Sequence, residues 1–110
     1  MSSILNDVKH TLSLLPAQTA FDTDLILHIN SVFTTLTQLN IGPELGYMIV
    51  DATNDWDEFT DEIRLNAVKS YMFLRVKLLF DPPQTGFVIA SMERQILELE
   101  FRLNVVADYG

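Results

Sequence analysis

The densest collection of side chains able to do chemistry in this chain is acidic. Asp51, Asp55, Asp57, Glu58, Asp61 and Glu62 place six carboxylates and no base within twelve residues. Asp51, Thr53, Asp55, Asp57 and Glu62 occupy positions 1, 3, 5, 7 and 12 of that stretch, the register in which an EF-hand loop offers oxygens to calcium. Such a loop needs glycine at position 6 for its sharp turn, and here that place holds Trp56. The expectation is therefore a solvated loop ahead of a helix, with Trp56 and Phe59 turned inward as anchors. Asp57 and Asp61 could in principle divide acid and base roles. Neighbours in an exposed charged loop, however, lack the burial that separates two carboxylate pKa values. A metal-dependent enzyme built on this block is the weakest reading of it.

The remaining chemical candidates are isolated. His10 and His28 have no second His, no Cys and no His-Glu spacing beside them, so no metal site is expected. His10 should be exposed and His28 should lie at a helix boundary. Four glycines supply no nucleophile elbow, phosphate loop or dinucleotide fingerprint. No enzymatic activity and no cofactor are expected. Arg64, Lys69, Arg75 and Lys77 are dispersed among apolar neighbours, which suits internal ion pairs better than phosphate contacts.

Composition narrows the class further. A chain of 110 residues fits one domain, residues 1–110, and its 15 acidic against 7 basic side chains give a net charge of -8. That balance opposes binding by phosphate neutralisation, which requires clustered Lys and Arg. Removing the block at 51–62 leaves nine acids against seven bases, so the acidity is local. A hydrophobic fraction of 48% excludes a disordered acidic tail. The mean hydropathy of +0.19 leaves more apolar side chains than a small monomer readily hides, which points to an oligomer or a partner surface. The absence of cysteine removes disulfides and thiolate sites and suits a reducing compartment. No leader and no membrane span are expected, since no run approaches the roughly 20 apolar residues a span requires.

Four helices must position these residues. Residues 2–15 carry Ile4, Val8, Leu12 and Leu15 behind Ser2 or Ser3 as N-cap, with Pro16 closing the helix. A second helix starts at Asp22 as cap, with Phe21 stapling onto Ile26, and carries Leu25, Ile26, Ile29, Val32, Phe33, Leu36 and Leu39 at a 3.6-residue period. Gly42, in a left-handed conformation, and Pro43 should end it. Residues 43–54 read as loop, with 47–50 as a short extended piece. Residues 63–80 are apolar on most sides, which marks a central helix, and the acids ahead of it suit its N-terminal dipole. Asp81-Pro82-Pro83 stops this third helix.

The fourth helix, about 87–106, sets Ile89, Met92, Ile96, Leu99, Leu103 and Val106 at spacings of 3 and 4, an a/d seam for a partner helix inside the protomer or between protomers. Val88, Leu97, Phe101 and Val105 form a second apolar stripe beside it. Glu98 and Arg102 stand at i, i+4.

Taken in order, FDTDLILHINSVFTTLTQLNIGP at 21–43, the Trp-Asp-x-Phe loop at 56–59, AVKSYMFLRVKLLFDPP at 67–83 and MERQILELEFRLN at 92–104 resemble the head-tail connector, or adaptor, proteins of tailed bacteriophages with long non-contractile tails. The resemblance implies an all-α, four-helix protomer with an acidic loop between helices 2 and 3, about a dozen copies of which join in a ring under the portal. It implies a structural virion protein of the neck, assembled in the host cytoplasm, that docks portal and stopper or tail-completion protein. The ring would continue a channel through which DNA passes without specific binding, and no membrane is involved. The helix 4 seam is then the expected oligomer or partner interface, and Asp51, Asp55, Asp57, Glu58, Asp61 and Glu62 are the expected surface facing the channel or a partner. With only 107–110 following the seam, a long portal-inserting tail is not expected. The alternative from another class is an acidic helical protein that imitates DNA and occupies a basic partner.

Overall fold

A computed structural model describes the backbone of residues 2–60 and 62–109, and the side chains of these apart from residues 62, 63 and 105–109. Among the described residues there are four α-helices, α1 (Ile4–Thr11), α2 (Asp22–Gln38), α3 (Glu62–Phe80) and α4 (Gly86–Tyr109), and one 3₁₀ turn, Trp56–Glu58, between α2 and α3. The fold is all-α, as expected. Among the described residues the nearest approach to a sheet is one antiparallel bridge between Ser3 and Asp55.

Ser3 is the cap of α1: its side chain accepts from the Asn6 amide at 3.2 Å. The helix is shorter than the apolar spacing suggests, ending at Thr11 and well before Pro16. Ser13 takes φ 62°, and two reversed hydrogen bonds close the end: Ser13 N to His10 O at 3.1 Å and Leu14 N to Lys9 O at 2.8 Å. Leu15 consequently lies outside the helix and is exposed.

The start of α2 also departs from expectation. Asp22 does not cap the helix; Phe21 occupies the cap position without a side-chain bond. The Asp22 carboxylate instead accepts from Lys9 Nζ at 2.8 Å, while Pro16 O accepts from the same ammonium at 3.1 Å. Lys9 is 1% exposed, and a charge so buried demands a counterion. The Phe21 ring meets Phe80 of α3 edge-on, centroids 5.4 Å apart. Leu25, Ile29, Val32, Phe33 and Leu36 form the buried face of α2. The β-branched residues opposite are accommodated by hydroxyl bonds to the preceding turn, Thr34 to Asn30 O and Thr37 to Phe33 O, both 3.0 Å.

Asn40, with φ 64°, is the residue that ends α2, through Asn40 N to Thr37 O and Ile41 N to Leu36 O. Gly42 does take φ +87°, but beyond the helix, where the Phe59 ring covers the place a Cβ would fill.

Helix α3 is apolar all round because it packs on two sides. Tyr71 and Arg75 meet Glu100 of α4, whereas Lys69, Phe73 and Phe80 meet Asp7, Trp56 and Phe21 on the other side. On a wheel of 3.6 residues per turn these two sets face opposite ways. The molecule is accordingly a slab, 40 × 36 × 20 Å, with α1, α2 and the long loop on one side of α3 and α4 on the other. None of the described helices is long and apolar enough to cross a membrane.

Candidate functional site

The acidic loop is fastened to the core by its apolar residues. Trp56 and Phe59 are buried, as expected, and join Phe33 and Tyr47 in an aromatic cluster; Phe33 lies 4.6 Å from Phe59 and 5.0 Å from Tyr47 between ring centroids. Trp56 Nε1 donates to Asp7 Oδ2 of α1 at 2.8 Å, and Lys69 Nζ lies 5.6 Å above the indole centroid. Ile49 is tied to α2 by the Asn30 side chain, whose Oδ1 accepts from Ile49 N at 2.8 Å while its Nδ2 donates to Ile49 O at 3.1 Å. This amide stands where a neighbouring strand would, so residues 47–50 are extended and alternate inward and outward without forming a sheet.

With the anchors inside, the carboxylates point out. Asp51, Asp57 and Glu58 are exposed and Asp55 is half-buried, with Oδ1 shielded and unpaired. The side chains of Asp61 and Glu62 lie outside the described residues. Glu58 accepts from Tyr47 OH at 2.7 Å and from Asn54 Nδ2 at 3.0 Å, and these bonds hold its carboxyl below the usual range. Burial, followed by the bond to Glu58, pushes the Tyr47 hydroxyl pKa upward. Asp51 accepts from the Thr53 hydroxyl and amide at 2.5 and 2.8 Å, which likewise lowers its pKa. Among the described residues no three His, Asp or Glu side chains come together as a metal-holding group. The carboxylates organise their own loop and present negative charge to solvent.

The expected seam on α4 divides by depth. Ile96 and Leu103 belong to the core, Ile89, Met92 and Leu99 are half-buried, and the Val106 side chain lies outside the described residues. Leu99 and the buried pair share the core of the same chain, so this row holds α4 on α3. A polar clasp reinforces the contact: Arg75 Nη1 donates to Tyr71 OH at 2.7 Å, and Tyr71 OH donates to Glu100 Oε2 at 2.6 Å. Burial, then the bond to Glu100, raises the Tyr71 pKa.

The second stripe is what remains open. Leu97 is 66% exposed, Phe101 70% and Val88 42%, the Val105 side chain lies outside the described residues, and Phe87 at the start of the helix is 80% exposed. Arg94 lies among them and makes no ion pair among the described residues, whereas Arg102 pairs with Glu98 at 2.5 Å. Three of the four dispersed bases of α3 form ion pairs, Lys69 with Asp7, Arg75 with Glu100 and Lys77 with Asp81, while Arg64 makes none among the described residues. His10 is exposed, and His28 packs edge-on to Phe80 at 6.4 Å.

A second apolar surface was not foreseen from the hydrophobic period. Leu27 stands on the solvent side of α2, off the stripe that defines its core, and Leu45, Met48 and Val50 project from the extended loop beside it. Leu45, Met48 and Gly46 with Thr34 and Gln38 of α2 line an open groove of about 390 Å³. Its only signal in the sequence is alternation at 47–50, where outward Met48 and Val50 interleave with inward Tyr47 and Ile49.

A family model described as phage connector protein matches residues 4–110. No curated protein and no solved structure matches the chain.

Proposed function

Because the chain belongs to the phage connector protein family, and is thereby a structural component of a phage particle, we propose that it forms the ring joining the portal of the head to the tail or stopper. The whole chain serves as one connector domain. About a dozen copies close into a ring through contacts between neighbouring protomers, and the ring continues the DNA channel below the portal. Its position is the neck of the virion, reached after assembly in the host cytoplasm.

The observation that carries this reading is the apolar outer face of α4 on a chain of this family. Phe87, Leu97 and Phe101 face solvent in the isolated protomer, and exposed apolar rows of this kind mark interaction surfaces. The loop carrying Asp51, Asp55, Asp57 and Glu58, together with Asp61 and Glu62, supports the channel reading. Repeated around a ring, it makes an acidic band that repels phosphate and lets DNA pass, with its field screened beyond about 8 Å at physiological salt. The α4 seam of Ile89, Met92, Ile96, Leu99, Leu103 and Val106 contributes by holding the helix that carries the outer stripe.

Electron microscopy of joined particles tests this directly. The expected result is density for a ring of this chain between portal and tail, identified by a tag fused to the chain. Particles that join head to tail without containing the protein would overturn the assignment. A protein that instead competes with DNA for a basic enzyme would point to the mimic.

A further inference from the structure

The slab has two unlike apolar edges. On α4, Phe87, Ala90, Arg94, Leu97 and Phe101 follow spacings of 3, 4, 3 and 4, so they share one side of the helix, turned away from Ile96 and Leu103. On α2, Leu27, Thr34 and Gln38 share the side turned away from Ile29 and Val32, and the loop adds Leu45 and Met48. Since α3 packs against both α2 and α4, these faces belong to different flanks of the molecule.

We propose, building on the connector reading, that the outer face of α4 in one copy docks on the α2 and 44–50 edge of the next copy, a heterologous contact between unlike surfaces. Three features match. The α4 face is aromatic: Phe87 and Phe101 are 80% and 70% exposed, and between them Leu97 lines an open groove with Leu78 and Leu79 of α3. The opposite edge is concave, with a groove of about 390 Å³ lined by Leu45, Tyr47 and Met48 of the loop and by Thr34, Thr37 and Gln38 of α2. The charges are complementary as well: Arg94 on the α4 face makes no ion pair among the described residues, and neither does exposed Glu44, which precedes Leu45 and lines the smaller cleft that shares Thr37 with the groove. A symmetric α4-to-α4 contact would leave Leu27, Leu45, Met48 and Val50 in water, whereas the unlike contact covers both patches at once.

The chain contains no cysteine, so a crosslink between two copies of it must join introduced thiols. Leu97→Cys and Met48→Cys change residues that are 66% and 67% exposed, which keeps the fold. Phage particles carrying the double variant, treated with a short thiol-specific crosslinker, should give a ladder of covalent species beyond the dimer, with a peptide joining positions 97 and 48. Each single variant should stay monomeric. Arg94→Glu added to the double variant should lower the ladder at least tenfold, and Arg94→Lys should retain it. A dimer from Leu97→Cys alone, or no ladder in particles shown by immunoblot to contain the protein, overturns the pairing and leaves the connector reading intact. Absence of the protein from joined particles overturns both.

Discussion

The two stripes of α4 make a contrast that can be measured. Leu103 is 2% exposed and packs into the core, whereas Leu97, six residues earlier on the same helix, is 66% exposed. Truncating a buried leucine to alanine removes its transfer free energy and leaves a cavity, a cost of about 2–5 kcal/mol. Near the end of a helix the surroundings collapse part-way, so about 3 kcal/mol is expected for Leu103→Ala. A chain of this length has a total stability of roughly 5–15 kcal/mol, so the variant should lose a large fraction of it. At roughly 4–5 °C per kcal/mol the melting temperature should fall by about 12–15 °C, and with an m-value near 2 kcal/mol/M the urea midpoint should drop by about 1.5 M. Leu97→Ala should cost no more than about 0.5 kcal/mol in the isolated protomer. Trp56, the only tryptophan and 2% exposed, supplies the fluorescence for both urea titrations. Equal losses in the two variants would refute the assignment of inner and outer faces, because that assignment rests on their difference in burial.

Other consequences follow from named contacts. Asp22→Ala leaves the Lys9 ammonium buried without its counterion and should cost about 3 kcal/mol, whereas Lys9→Met leaves a carboxylate that water can reach and should cost distinctly less; thermal melts of the two variants compare them. Gly42→Ala meets both a positive φ and the Phe59 ring, so it should destabilise by roughly 2–4 kcal/mol, read by the same tryptophan titration. Glu58 has its pKa depressed in the folded state, so its contribution to stability is present above the ordinary carboxylate pKa and is lost as pH falls through the folded value. Tyr47→Phe should move the Glu58 titration upward in a carboxyl-detected NMR experiment; an unmoved titration would show that the 2.7 Å bond does not set it.

The sequence carried the periodic parts of this fold and missed the parts made by single side chains. The α2 stripe from Leu25 to Leu36 and the continuous apolarity of α3 were legible because burial on one face or two faces leaves a periodic trace. The inward turn of Trp56 and Phe59 was legible because large aromatics in an acidic loop have nowhere better to go. The helix ends were less so: Ser13 and Asn40 adopt positive φ, where glycine and proline nearby are the stronger local signals. The Lys9–Asp22 pair joins residues 13 apart, and no local pattern connects them. Capping and ion pairing compete for Asp22, and the buried ammonium wins because an unpaired charge costs more than an uncapped amide.

What the sequence determined by itself is therefore the class of the molecule: four helices, a concentrated acidic loop, and family-like segments whose membership the match over residues 4–110 establishes. Periodicity and composition are properties of the chain alone, and they suffice for this. Which of the two stripes on α4 stays open was decided only in three dimensions. Both have helical spacing, and the choice depends on which one α3 covers. The apolar edge at Leu27, Leu45 and Met48 was likewise invisible beforehand, since it is assembled from α2 and a loop that the Asn30 amide and the aromatic cluster bring together.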